Sequence, residues 1–192
     1  MKTPTVEFRF SEPYERILGQ YEYGNKEVPV KSFEAYISRI EPVWRKIEKK
    51  CLTYMSQVTK LKWEEDKIKC YIMNGKQPFS DPLTIGTYEE PMFIECLIHE
   101  LIHVLLSQKI NEDKELKYLE HTKKKYPNHS NLVYDHILLY AVFEKLHQEI
   151  FNRKDILKSE YENSISNDYK IAIKIVIDGG SDEIIEEFLK IK

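Results

Sequence analysis

The chain has 192 residues, of which 42% are hydrophobic and 32% are charged, as in ordinary globular proteins with a core of their own. The net charge of −3 gives no electrostatic reason to expect nucleic acid or a membrane surface as a partner. No stretch reaches the roughly 18 uninterrupted apolar residues of a membrane span, and the first residues do not resemble a signal peptide. The cysteines, Cys51, Cys70 and Cys96, stand far apart, which disfavours disulfides, so we expect one cytoplasmic domain over residues 1–192.

The first half of the chain predicts a long helix and a small sheet. Its predicted elements are a strand at 5–10, a loop from Glu12 to about Val28, a helix over 31–58, a strand at 67–73, a turn at Asn74-Gly75 and a strand at 82–88. Pro42 interrupts the apolar period of the helix and is expected to kink it. Pro82 and Gly86 favour a sheet edge for the last strand, because proline cannot donate a hydrogen bond to a neighbouring strand.

The second half of the chain predicts helices alone. They lie near 91–106, 112–125, 131–151, 153–164 and 168–178, with a short helix from Ser181. Glu89, Glu90 and Pro91 suit the first turn of a helix, and Gly179-Gly180 suits a helix end. The element order therefore predicts an α+β fold, with a mostly helical core and a small sheet that precedes the helix at 91–106.

A metal-binding motif lies inside that apolar helix, at His99-Glu100-Leu101-Ile102-His103. Two histidines four residues apart share one helix face, so their ring nitrogens can reach one divalent metal at roughly 2.0–2.1 Å. Glu100 stands beside them, where it can take a proton from a metal-bound water. Burial of these side chains without partners would cost several kcal/mol, which favours a metal over two core histidines and a surface glutamate.

A catalytic zinc usually has three protein ligands and one open position, so a third ligand is needed. One common solution places a histidine six residues after the second one, with a glycine between them. Here those positions hold Lys109 and Leu106, which exclude this solution. Glu120, on the following helix, stands among charged residues typical of a solvated surface.

The helix at 131–151 offers a better source of the third ligand. It is nearly as apolar as the motif helix and carries one polar stripe, formed by His136, Tyr140, Glu144 and His147. His136 is the preferred ligand and Glu144 the alternative, while Tyr140 could donate its hydroxyl to an oxyanion. Glu95 and Asp135 are candidates to hold the second nitrogen of a ligating ring, and the alternative for each is an acid on the helix surface. The other histidines, His121, His129 and His147, are expected at the surface.

Three segments resemble the zincin-like metallopeptidase superfamily, and in particular its small cytoplasmic prokaryotic members. They are Pro82–Gly86, Glu95–Leu105 and Asp135–Ala141. The resemblance implies a zincin-like core with zinc on His99 and His103 and with Glu100 as general base. It also implies an edge strand before the motif helix, along which an extended peptide could lie.

Motif and resemblance together predict a zinc-dependent hydrolase, a metallopeptidase that uses metal-activated water and acts on a peptide or protein. Two alternatives stay open. One is a zinc-binding but catalytically silent interaction or regulatory domain of the same fold. The other is a purely structural helical protein with a chance motif. Zinc content separates the last from the others, and activity that depends on Glu100 separates the enzyme from the silent domain.

Overall fold

The computed structural model describes residues 2–22, 30–74 and 77–191. Its elements are β1 (Thr5–Arg9), α1 (Glu12–Glu22), α2 (Val30–Thr59), β2 (Lys67–Met73), β3 (Phe79–Ser80), β4 (Leu83–Gly86), α3 (Glu90–Ser107), α4 (Glu112–Lys125), α5 (Asn131–Phe151), α6 (Ile156–Asn163), α7 (Asn167–Gly179) and α8 (Ser181–Lys190). The α+β class and the mostly helical core are confirmed. Within the described residues, no helix is long and apolar enough to cross a membrane.

These elements divide into two compact units. The first, called here the sheet unit, comprises residues 2–52 and 65–104, and the second, the helical unit, comprises residues 53–64 and the chain from 105 onward. The boundary falls inside α2 and inside α3, so both helices contribute to both units.

The sheet unit contains one four-stranded mixed sheet in the order β1-β2-β4-β3. β1 pairs in parallel with β2, and β2 pairs in parallel with β4. The parallel arrangement of β1 and β2 requires a crossover connection, which α1 and α2 supply. β3 is antiparallel to β4, with Phe79 opposite Thr84 and Ser80 opposite Leu83.

A buried carboxylate on α2 joins that helix to β1. Glu48 is 7% exposed and accepts hydrogen bonds from the Val6 backbone N–H at 2.6 Å and from Trp44 Nε1 at 3.0 Å. The guanidinium of Arg45 donates to both carboxylate oxygens at 2.6 and 2.8 Å. The charge is thus paired and its lone pairs are used, which is the condition for a stable buried carboxylate.

Aromatic packing fixes the beginning of α3 in the sheet unit. Phe93 is fully buried, and its ring lies 5.8 Å from that of Phe8 on β1 and 5.8 Å from that of Tyr36 on α2. The Tyr36 hydroxyl donates to the Tyr88 carbonyl at 2.7 Å, two residues before α3 begins. These contacts set the direction in which the motif helix leaves the sheet.

In the helical unit, α5 is the central helix and contacts α4, α6, α7 and α8. Its first turn is capped by Ser130, whose Oγ accepts from the Val133 N–H at 3.3 Å. Its last turn ends at Asn152, which adopts the left-handed conformation typical of a helix C-cap. The side chains buried along it are Val133, Tyr134, His136, Ile137, Leu138, Leu139, Tyr140, Ala141, Val142, Phe143, Leu146 and His147.

Two predictions for the first half of the chain are wrong. The expected loop from Glu12 contains α1, because a proline is well tolerated in the first turn of a helix and Pro13 occupies that turn. The expected edge strand is not at the edge, since β3 pairs with β4 on the side away from β2. The remainder of the predicted loop at 23–29, and Gly75 of the predicted turn, lie outside the described residues, whereas α2 continues through Pro42.

Candidate metal centre

The two histidines of the motif lie side by side on α3. The rings of His99 and His103 are 5.1 Å apart between centroids, with an interplanar angle of 64°. Both side chains are half-buried, while Ile98 and Ile102, each one residue before a histidine, are fully buried. The four-residue spacing therefore places the two rings side by side, as expected, on a face of α3 that is only partly buried.

Glu100 is 6% exposed and does not lie on the surface of α3. Burial raises the pKa of its carboxyl to about 7, because the charged form loses hydration. On β2, burial also raises the pKa of the Cys70 thiol, and the charge of Glu100 raises it further. The reading of Glu100 as a surface residue does not fit this environment, and a carboxyl with a pKa near neutrality suits a general base.

His136 is buried in the helical unit at 3% exposure. Its Nδ1 lies 2.8 Å from the carbonyl oxygen of Leu132, one helical turn earlier, and burial lowers the pKa of the ring to about 4. The ring is therefore neutral at pH 7, and the proton on Nδ1 donates to that carbonyl. Nε2 then carries a lone pair, which is the form in which imidazole binds a metal.

One ligand nitrogen from each of His99, His103 and His136 lies within 4.8 Å of the others. Two nitrogens that share a zinc at about 2.0–2.1 Å are at most about 4.2 Å apart, so the upper bound of 4.8 Å is close to the spacing in a bound site. Within the described residues, these three histidines form the group of histidine, cysteine and acidic side chains whose ligand atoms lie close enough together to share one metal ion. The donor set fits zinc, since neutral imidazole is one of its usual ligands.

The backbone, and not an acidic side chain, holds the second nitrogen of His136. Asp135 is one of the two candidates for this role, but it is exposed, in agreement with the alternative of a surface acid, and the Leu132 carbonyl accepts the bond. Any histidine in a helix can reach the carbonyl four residues earlier if its rotamer is suitable. The helical pattern of α5 was therefore enough to suggest the Leu132 carbonyl as the partner of His136.

Two tyrosine rings lie beside His136. Tyr140, on the same helix, is 2% exposed, and its ring lies 5.8 Å from the His136 ring. Tyr169, on α7, is closer, with its ring 4.6 Å from His136 at an angle of 44°, and 6.5 Å from Tyr140. The stripe on α5 revealed Tyr140, but no spacing in the sequence connects Tyr169 with His136, because the two residues lie on different helices.

The remaining polar residues of the α5 stripe have other surroundings. Glu144, the alternative ligand, accepts a hydrogen bond from Ser181 Oγ at the beginning of α8. His147 was expected at the surface, and this is wrong, since its side chain is 2% exposed between the rings of Phe143 and Phe151. Burial, and to a lesser degree the charge of Arg153, lower the pKa of His147 to about 4.

His121 and His129 are exposed, as expected. His121 Nε2 lies 3.5 Å from a carboxylate oxygen of Glu187 on α8. The ring of His129 lies 6.3 Å from that of Tyr134. Both histidines are available as controls for any test of metal binding.

Comparison of the chain with protein-family models, with curated proteins and with solved structures finds no match. The resemblance to zincin-like metallopeptidases therefore depends on the three segments named above and on the side chains they carry.

Proposed function

We propose that this protein is a zinc-dependent hydrolase, and specifically a metallopeptidase, with zinc bound by His99, His103 and His136. The observation that carries the proposal is the proximity of one nitrogen from each of these histidines. Three protein ligands with an open fourth position are typical of catalytic zinc, whereas structural zinc normally has four protein ligands. The number and type of ligands therefore favour a catalytic site over a structural one.

Each remaining residue has a defined task in this proposal. When bound, zinc supplies a Lewis acid that polarises a carbonyl and lowers the pKa of a water molecule. Glu100 accepts the proton of the attacking water and returns it to the leaving amine. Tyr140 donates a hydrogen bond to the oxyanion that develops on the substrate. Burial of Glu100 supports its task, because a carboxylate shielded from bulk water is a stronger base.

The substrate class proposed is a peptide or a protein, because hydrolysis of an amide needs both water activation and protonation of a leaving amine. We do not place this substrate along β4 as an added strand, since β3 already pairs with Leu83 and Thr84 of that strand. We keep the cytoplasm as the proposed compartment. Cys51, Cys70 and Cys96 are free cysteines, as is usual under reducing conditions.

Native mass spectrometry of the purified protein, combined with a peptide-library assay, tests the proposal. We expect one zinc per chain, lost in His99→Ala and retained in His121→Ala, whose histidine is exposed. Glu100→Gln should keep the zinc but lose about 10²–10⁴-fold in the rate of peptide hydrolysis, because an amide cannot accept the proton.

The outcomes separate the alternatives. Protein that takes up no zinc at micromolar concentration would exclude the metal site and favour a structural helical protein. Zinc binding without hydrolysis of any peptide, or hydrolysis unaffected by Glu100→Gln, would exclude the proposed enzyme mechanism and leave a silent zinc-binding domain.

A further inference from the structure

The ring of Tyr169 packs against His136 more closely than the ring of Tyr140 does. The centroid distance is 4.6 Å, against 5.8 Å for Tyr140. Tyr169 belongs to α7, which begins at Asn167, well beyond the three segments that carry the resemblance to zincins. A second helix therefore contributes to the surroundings of the proposed third ligand.

Hydrogen bonds at the first turn of α7 hold Tyr169 in place. Ser166 caps the helix, and its Oγ accepts from the Tyr169 N–H at 3.5 Å. Asp168 Oδ2 accepts from Ser130 Oγ at 2.8 Å. Because Ser130 is also the N-cap of α5, this bond joins the first turns of α5 and α7 close to the position of His136.

The His136 ring is thus restrained in two different ways. The Leu132 carbonyl holds Nδ1, which selects the tautomer but still permits the ring to swing about its side-chain torsions. A ring packed at 4.6 Å limits that swing by steric contact. Metal ligands bind tightly only when such supports hold them near the productive geometry.

We propose that Tyr169 is a positioning residue of the metal site, whose ring fixes the orientation of His136 for metal binding. The inference rests on the metal site proposed above and extends it to α7. It assigns the support to the aromatic ring and not to the hydroxyl. The metal site would then depend on α7, which neither the motif at residues 99–103 nor the polar stripe on α5 predicts.

Metal titrations of three variants test this role. Tyr169→Leu removes the ring, Tyr169→Phe removes only the hydroxyl, and Tyr161→Leu removes an exposed tyrosine from α6 as the matched control. Zinc affinity is measured by competition with a chelating dye, and Co²⁺ is titrated while its visible absorption bands are recorded. Thermal unfolding without metal reports the stability of each variant.

We expect Tyr169→Leu to lose about 10–100-fold in zinc affinity and to change the Co²⁺ bands, as loss of a supporting partner does at other metal sites. Tyr169→Phe and Tyr161→Leu should bind like the parent, and all variants should unfold cooperatively. If Tyr169→Leu does not fold, Asp168→Ala gives the second test, because it frees the first turn of α7 and should also weaken zinc binding.

The inference is overturned if Tyr169→Leu binds zinc as tightly as the parent with unchanged Co²⁺ bands. It is also overturned if Tyr169→Phe is as weak as Tyr169→Leu, since the hydroxyl would then be responsible. A parent protein that binds no metal removes the proposed function itself, so the two failures are distinguishable.

Discussion

His136 and His147 lie on the same helix and are buried to the same degree, yet their ring nitrogens differ in environment. Nδ1 of His136 has the Leu132 carbonyl as a partner. Both nitrogens of His147 have no hydrogen-bond partner among the described residues, although the ring is 2% exposed. Residue type and burial alone therefore do not separate the proposed ligand His136 from His147. The Leu132 acceptor and the neighbouring His99 and His103 make the difference.

The choice between His136 and Glu144 as third ligand gives a prediction at the residue scale. His136→Ala should lower zinc affinity by several orders of magnitude, because the variant lacks one of the three proposed ligands. Glu144→Ala should leave zinc affinity nearly unchanged, since its carboxylate is engaged by Ser181. Isothermal titration with zinc measures both.

His129→Ala serves as the control for this comparison, because His129 is exposed. If Glu144→Ala removed the zinc and His136→Ala did not, the site would be of the two-histidine, one-glutamate type. The assignment of α5 as the source of the third ligand would then hold, but the assignment of His136 would be wrong.

At the scale of elements, the buried carboxylate of Glu48 contributes to the attachment of α2 to β1. Glu48→Ala would leave the Val6 N–H and the Trp44 N–H without their acceptor, while Arg45 would keep its contact with Glu41. We expect the free energy of unfolding to fall by about 2–4 kcal/mol, because two donors, a backbone N–H and an indole N–H, lose their buried acceptor. Urea unfolding followed by tryptophan fluorescence measures the change.

Glu41→Ala is the matched control for Glu48. Glu41 also accepts from Arg45, at 2.6 Å, but this pair is partly exposed to solvent. Its loss should therefore cost about 1 kcal/mol or less. Equal losses in the two variants would show that burial of Glu48 contributes nothing special to the attachment of α2.

The sequence predicted those elements whose pattern is long and regular. The apolar period of α2, α3 and α5 continues over several turns and located all three helices. The sequence predicts a loop where α1 lies, because proline is common in loops, although Pro13 here occupies the first turn of a helix, which proline also suits. β3 has two residues, too few to show any alternation, and its absence from the prediction led directly to the wrong edge position of β4.

At the scale of the whole molecule, the sequence located the candidate site only in part. The pair His99 and His103 follows from spacing within one helix, and the α5 stripe indicated His136. The two rings beside His147, those of Phe143 and Phe151, lie on α5 itself, four residues before and after it. Tyr169 contacts His136 from a helix that is distant in sequence, so no local pattern predicts this contact. Long-range packing is therefore what the structure adds to the motif.

The unpartnered His147 makes the stability of the chain depend on pH. Its folded pKa of about 4 is lower than the ordinary value of 6.5, so between these values the unfolded chain binds more protons than the folded one. Ionisation of His147 therefore has no effect on stability above pH 6.5, and it lowers stability as the pH falls from 6.5 towards 4. Acidification should weaken the fold through this residue.

His147→Leu tests the effect, because leucine fills a similar volume with no polar atoms. At pH 7, the variant should be more stable than the parent by about 1 kcal/mol, since two buried nitrogens without partners are removed. Between pH 6.5 and 4 it should lose less stability than the parent. Thermal unfolding across this range, with a chelator present so that metal binding does not contribute, measures both effects. His121→Leu, at an exposed position, should follow the parent curve. A His147→Leu curve parallel to that of the parent would mean that the acid sensitivity originates elsewhere in the chain.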